Sequence, residues 1–333
     1  MRSVGVIGSG FIAEQHLQSW RTIGVPVHVY GGSRTAEVAN DRGARAHATL
    51  ASLLAAVDVV DVCTPTDTHR DLVIEAARSG RDVICEKPLA LHPAHAEEMI
   101  GVCAEEGRQL FVAHVVRYFP EYAALRARVS DGAIGTPAVI RLARESFAPR
   151  RPATHWMFDE SRSGGIITDL MIHDLDFAAW VAGPVSTVFA KTARVASEGF
   201  DDHAFAILTH AGGALSHVTV SWAFPPPTFR TRAEIAGSTG LLSTTVDDAA
   251  GTEILFREPP AGDAEAVGYP SPTAHAAGDD PLTAELRDFL RAIEGDALPR
   301  VTAADALHAV AVAAAALTSS RTGRPCTVGG PDV

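Results

Sequence analysis

The stretch VGVIGSGFIAEQH, residues 4–16, decides the fold. Ser3–Ile7 reads as a strand and Phe11–Thr22 carries a helical period, and between them Gly8-Ser9-Gly10-Phe11-Ile12-Ala13 fits G-x-G-x-x-G/A. The first glycine permits the tight turn, the second lets the backbone approach a pyrophosphate, and Ala13 is small enough for helix to pack on strand. Free N–H groups at the helix start receive the phosphate charge. The turn predicts a dinucleotide site on Gly8, Gly10, Phe11 and Ile12.

Working outward, the same grammar repeats to about Phe119. Further strands are expected at Val27–Tyr30, Val57–Cys63, Asp82–Cys85 and Gln109–Ala113, with helices at Thr35–Arg42, His69–Ser79 and Pro93–Glu106. Such alternation implies an α/β Rossmann domain, a doubly wound parallel sheet over residues 1–119. Where strand two ends, NAD sites usually carry a carboxylate for the ribose 2′-OH. No carboxylate occurs between Val27 and Thr35; Ser33 and Arg34 offer a hydroxyl and a guanidinium suited to a 2′-phosphate. NADP is therefore expected over NAD.

Beyond a helix around Pro120–Ser130 the pattern changes to long strands and hairpins. Thr136–Phe147, Ser186–Val195, Ala204–Thr209, Ala214–Phe224, Arg232–Ala236, Gly240–Val246 and Glu253–Arg257 read as strands, with turns at Ala211-Gly212-Gly213 and Gly237–Gly240. This predicts a C-terminal α+β domain, 120–333, with a large, mostly antiparallel sheet. Helices cover one face; Leu208, Val218, Val220 and Trp222 are expected on the other, which suggests a homodimer or homotetramer formed through the sheet. Residues 259–281 read as a loop. The last helix, Ala303–Ser319, is nearly all apolar and hence expected to be buried.

Composition limits the function classes. The chain has 333 residues, 47% of them apolar, and a net charge of −12 with no basic face, which argues against nucleic acid. No uninterrupted run of eighteen apolar residues occurs, so neither a membrane span nor a membrane partner is expected. The N-terminus reads as strand one, which suggests a cytoplasmic protein. Cys63, Cys85, Cys103 and Cys326 lack CxxC spacing and read as reduced core residues, with no metal site.

Two stretches carry charge where apolar residues are expected. In VICEKPLAL, residues 83–91, a strand ends in Glu86-Lys87-Pro88; taken alone, this is a surface turn. In SGGIITDLMIHDLDFAAWVAG, residues 163–183, Asp169, His173 and Asp176 share one face of a regular helix. A core histidine satisfied by a carboxylate explains that pattern by itself; a divalent ion is a weaker reading, given the competing charge of Lys87 if these elements meet.

Taken together, GSGFIAEQH, CTPTDTH (63–69), CEKPLA (85–90), RYFPEY (117–122), GAIG (132–135) and GGIITDLMIHDLD (164–176) resemble the glucose–fructose oxidoreductase, inositol dehydrogenase and MocA family over nearly the whole chain. The resemblance implies an NAD(P)-dependent oxidoreductase acting on a sugar, sugar derivative or cyclitol. It implies that Lys87 meets the substrate hydroxyl and Glu86 helps position the nicotinamide end. It further implies that Thr64, Pro65 and His69 form the loop beside the cofactor, that Lys87-Pro88 is often cis, and that Asp169 and His173 are the D-x-x-x-H pair. Met171 stands where relatives often carry glycine.

Oxidising a secondary alcohol removes a proton and a hydride. His173 is suited to accept the proton, with Asp169 orienting it or binding a second hydroxyl, and Lys87 stabilises the developing alkoxide. Arg117, Tyr118, His155 and Trp156 are candidates for shaping a pocket for a polyhydroxylated small molecule. Two other functions occur in families of this kind: an NADP-sensing regulator without chemistry, and an NAD-dependent glycosidase. A sensor needs none of Lys87, Asp169 and His173.

Overall fold

The computed structural model describes residues 2–152, 154–246 and 279–330. The strand expected at Glu253–Arg257 and the loop expected over 259–281, up to residue 278, lie outside the described residues. The chain divides into two compact units, Met1–Phe119 with Ala277–Val310, and Pro120–Ala276 with Ala311–Val333. The segment Ala277–Val310, read from sequence as part of a 120–333 domain, thus packs with the first unit. The reason is amphipathicity. The helix Pro281–Ile293, capped by the Asp280 carboxylate on the N–H groups of Leu282 and Thr283, buries Leu286, Phe289, Ala292 and Ile293. These join Trp20, Phe111 and Tyr118 in one apolar core.

In the first unit, β1 (Val4–Ile7), β2 (Val27–Tyr30), β3 (Arg45–Ala46), β4 (Val59–Val62), β5 (Asp82–Glu86) and β6 (Leu110–Ala113) form one sheet in the order β3-β2-β1-β4-β5-β6. Every pairing is parallel. β1, β4 and β5 are buried along their whole length, as strands covered on both faces must be. Strand order reverses between β1 and β4, and in open sheets of this kind ligands bind outside the carboxyl ends at that point.

The second unit holds β7 (Pro137–Glu145), β8 (Val185–Ala193), β9 (His203–His210), β10 (Leu215–Ser221), β11 (Arg230–Gly237), β12 (Leu241–Val246) and β13 (Cys326–Thr327). Their order is β12-β11-β7-β10-β9-β8-β13, antiparallel except that β7 and β10 run parallel, so the sheet is mixed. The expected faces are exchanged. Leu208, Val218, Val220 and Trp222 are buried, whereas Phe205, Ile207 and Leu215 stand exposed on alternate positions.

The helix Ala303–Thr322 is 20 residues long with a mean hydropathy of 1.3, enough by length and composition to cross a membrane. In this fold its Ala306, Ala309, Val312, Ala313, Ala315 and Ala316 are buried among other elements.

Candidate active site

The glycine turn fits a dinucleotide by its backbone. Gly8 adopts φ +134°, and a Cβ there would overlap the Cys63 carbonyl oxygen at the end of β4. A Cβ on Gly10 would meet nothing within 4 Å, which leaves the start of the helix Phe11–Ile23 open to an approaching phosphate. Ala13 is fully buried, while Phe11 is exposed and Ile12 half-buried. Beyond β2, Ser33 and Arg34 are exposed. The Arg34 guanidinium pairs with Glu14 and Glu37, each at 2.9 Å, and Glu14 also takes Arg42 at 3.0 Å.

Glu86 is no surface-turn residue. It ends β5 with only 7% of its surface exposed. Its Oε1 lies 3.1 Å from His16 Nε2, and its Oε2 accepts the Lys87 backbone N–H at 3.1 Å. Lys87 is half-buried, and the Lys87-Pro88 bond is cis. Of 28 basic residues only Lys87 and Lys191 are lysines.

A buried histidine joins the neighbouring loops. His69 Nε2 lies 3.0 Å from the Thr64 carbonyl and Nδ1 2.9 Å from the Pro88 carbonyl. Burial holds this ring below the ordinary imidazole value, against the pull of the two carbonyls. A neutral ring has one N–H, so one carbonyl accepts and the other only touches. Thr68 Oγ1 donates to the Pro65 carbonyl at 2.7 Å and meets Thr64 Oγ1 at 2.7 Å. Thr64, Pro65, His69, Glu86 and Lys87 are thereby gathered where β4 and β5 end, beside the Gly8 turn.

Sequence reasoning missed what lies beneath them. His16 Nδ1 meets Asp61 Oδ2 at 2.9 Å, and Trp20 Nε1–H donates to the same oxygen at 2.7 Å. Cys63 is a buried free thiol of the apolar core, as expected, and its Sγ also lies 3.3 Å from His16 Nδ1. Burial and Asp61 push the Cys63 thiol up, which keeps it neutral. Burial opposes charge on the His16 ring, but Cys63 and Asp61 outweigh it and hold the imidazole well above its ordinary value. With the thiol neutral, the carboxylate is the partner that sustains this charge. Glu285 adds a fully buried carboxyl that burial and Glu86 push far up, leaving it a neutral acid.

Two pocket candidates are committed elsewhere. Arg117 is buried and pairs with Asp305 at 3.2 Å, also donating to the Arg300 carbonyl at 3.1 Å. Tyr118 O–H donates to Asp288 at 2.7 Å, with the Arg300 guanidinium 4.6 Å from its ring centre. Both tie the end of the nucleotide sheet to the segment from Pro281 to Asp305.

In the second unit, the Asp169–His173 segment is not a regular helix. Ile167–Met171 forms a π turn that continues as the α-helix Ile172–Ala182. The i, i+4 spacing expected for Asp169 and His173 therefore crosses a π turn, a device frequent at functional sites. Both residues are half-exposed, whereas Met171, Ile172, Asp174, Leu175 and Asp176 are buried. Asp174 forms a buried two-pronged pair with Arg144, at 2.8 and 3.0 Å. His155 caps the short turn Trp156–Phe158 by accepting the Met157 N–H, and its ring lies 5.8 Å from that of Trp156. Partial burial, then Arg151 and Arg162, hold His155 below the ordinary value.

Comparison with known proteins adds a family to this geometry. A family model for oxidoreductases with an NAD-binding Rossmann fold matches residues 2–114, and one for the GFO/IDH/MocA C-terminal domain matches residues 122–243. A D-apiose dehydrogenase of Paraburkholderia graminis is 31% identical over 339 residues, covering 96% of this chain and 88% of its own. An inositol 2-dehydrogenase of Rhizobium meliloti is 29% identical, covering 79% and 78%. Among solved structures, a putative myo-inositol dehydrogenase from Sinorhizobium meliloti 1021 matches with TM-score 0.81 at 27% identity over 98% of this chain and 100% of its own. GenD2 from gentamicin A biosynthesis, solved with NAD, matches with TM-score 0.83 at 26% identity over 98% and 96%.

Proposed function

The chain belongs to the GFO/IDH/MocA oxidoreductase family, and we propose that it transfers hydride between a nicotinamide dinucleotide and a secondary alcohol or ketone of a sugar, sugar derivative or cyclitol. The observation that supports this most is Glu86-Lys87 at the carboxyl end of β5, next to the glycine turn and joined by His69 to the Thr64-Pro65 loop. A bound nicotinamide would supply the hydride acceptor. Lys87 stabilises negative charge developing on the substrate oxygen. His173 accepts the hydroxyl proton, and Asp169 stabilises the ring once charged. The named relatives act on apiose and inositol, which supports a polyhydroxylated substrate.

The dinucleotide is proposed to be NADP. No carboxylate precedes Arg34 from Val27 onward to hold a 2′-hydroxyl, but Arg34 is shared with Glu14 and Glu37, with which a 2′-phosphate must compete. A homo-oligomer closing over Phe205, Ile207 and Leu215 is inferred from that exposed apolar sheet face, and sedimentation at two concentrations tests it. The test of function is the nicotinamide absorbance change over cyclitols, aldoses and sugar ketones, with NADP and NAD in both directions. Turnover that disappears in Lys87→Ala is expected. Cofactor binding without turnover across the panel would instead favour a regulatory protein.

A further inference from the structure

The polar cluster under the glycine turn is continuous. It begins at the Trp20 indole N–H on Asp61 (2.7 Å), passes from Asp61 to His16 (2.9 Å), from His16 to Glu86 (3.1 Å), and ends at the Lys87 backbone N–H on Glu86 (3.1 Å). Trp20, His16 and Asp61 have no exposed surface. Two of these residues, His16 and Trp20, lie on the helix that starts at the glycine turn; Asp61 lies on β4 and Glu86 on β5. Burial of polar groups does not by itself mark a function, since apolar residues of similar volume would stabilise a core as well or better; what sets this cluster apart is where it ends. This one terminates on Lys87, one residue beyond the last rung of the β5–β6 ladder.

We propose that His16 is a positioning residue: held by Asp61 at one ring nitrogen, it fixes the Glu86 carboxylate with the other, and through Glu86 it sets where Lys87 stands. The inference rests on the reading of Lys87 as the group that meets the reacting oxygen. It assigns the first helix a second task, since the element that receives the dinucleotide phosphate also anchors the residue next to the chemistry. Both ring nitrogens of His16 are engaged by carboxylates, so the ring cannot turn without breaking one contact.

The same atoms admit another reading. His16, Asp61 and Cys63 offer donors within 4.8 Å of one another, a spacing that could hold a metal ion. The hydrogen-bonded chain is favoured because His16 and Asp61 are already satisfied by each other and by Glu86 and Trp20.

Because Lys87 and Lys191 are the only lysines, reductive ¹³C-methylation labels just two side chains besides the α-amine, one at the site and one as an internal reference. The spectrum is recorded for the wild type, His16→Gln and Glu86→Gln, with and without NADP. The Lys87 signal is expected to move or broaden in both variants while Lys191 stays in place, with NADP affinity in His16→Gln within about threefold of wild type. On whichever panel substrate the wild type oxidises, kcat is expected to fall on the order of 100-fold, with KM little changed. An unmoved Lys87 signal in folded His16→Gln overturns the proposal; if that variant does not fold, an unmoved signal in Glu86→Gln does so. Stoichiometric zinc in the purified protein, lost with His16, overturns it too. Wild-type turnover in Lys87→Ala, with the signal still moving in His16→Gln, would overturn the role of Lys87 and leave the positional link standing.

Discussion

Both units bury charge, and they use it differently. In the first, the chain from Asp61 through His16 and Glu86 ends at Lys87, at the carboxyl edge of the sheet. In the second, Arg144 and Asp174 meet under Tyr122, whose ring lies 6.0 Å from the guanidinium and packs edge-on to Phe177 at 4.8 Å. That pair is closed on itself, while the half-exposed Asp169 and His173 lie before it on the same helical stretch. Burial of a charge therefore does not mark a functional group. What distinguishes the two clusters is where each one ends.

The largest effect should come from the open end. Lys87→Ala is expected to lower kcat by at least about 10³-fold, and His173→Ala by about 10²–10⁴-fold, as for loss of a general base. In both, dinucleotide affinity measured by fluorescence should stay within a fewfold of wild type. Near-wild-type turnover in either variant would remove that residue from the reaction and erase the functional half of the contrast.

The closed pair should respond in the opposite way. Asp174→Asn leaves the Arg144 charge buried and uncompensated, with an expected loss of about 3–5 kcal/mol in urea unfolding. Turnover per folded molecule should remain close to wild type. A variant of full stability and poor turnover would move Arg144–Asp174 into the functional class.

How much of this was legible depended on distance along the chain. The glycine turn could be read because its strand, turn and helix are contiguous, and each glycine answers to a local steric demand. The strand–helix alternation was equally local. Arg117 and Tyr118 looked like pocket residues because their partners, Arg300 and Asp288, lie 183 and 170 residues away on a segment whose packing no local pattern reveals. His16 stands three residues after Ala13, on the inner side of the first helix, but Asp61 and Glu86 reach it only through the parallel pairing of β1, β4 and β5. The alternation of β9 and β10 was visible too. Which face the helices cover was not, because both faces carry apolar side chains. The π turn at Ile167–Met171 left no recognised signal in the sequence, since a single added residue per turn changes no composition.

Glu285 offers a finer test of the buried cluster. Its carboxyl is pushed up in the folded protein by burial and by Glu86, so folding holds a proton that the unfolded chain releases once pH exceeds the ordinary glutamate value. The stability that this proton contributes is fully present below that value and is lost as pH rises toward the folded pKa. Within that window the loss is about 1.4 kcal/mol per pH unit. Glu285→Gln cannot ionise, so its stability relative to wild type should rise as pH increases between about pH 5 and pH 8. Thermal melts across that range measure it. A difference independent of pH would mean that Glu285 is ionised in the folded protein and that the cluster carries one more negative charge.

The smallest effect belongs at the rim of the first unit, where charge is exposed. Arg34 pairs with Glu14 and Glu37 but remains accessible, so its ion pairs are individually weak and a 2′-phosphate can displace them. Arg34→Ala should lower kcat/KM for NADP about tenfold and leave NAD nearly unchanged. Glu37→Gln should act in reverse, releasing the guanidinium and raising the NADP to NAD ratio a fewfold. Neither change should disturb kcat, because on the proposed reading these residues meet a part of the cofactor remote from the reacting carbon, whereas the buried chain ends beside it. A fall in kcat with saturating NADP in Arg34→Ala would show that the exposed rim and the buried chain are coupled after all, through the helix Phe11–Ile23 that carries both Glu14 and His16.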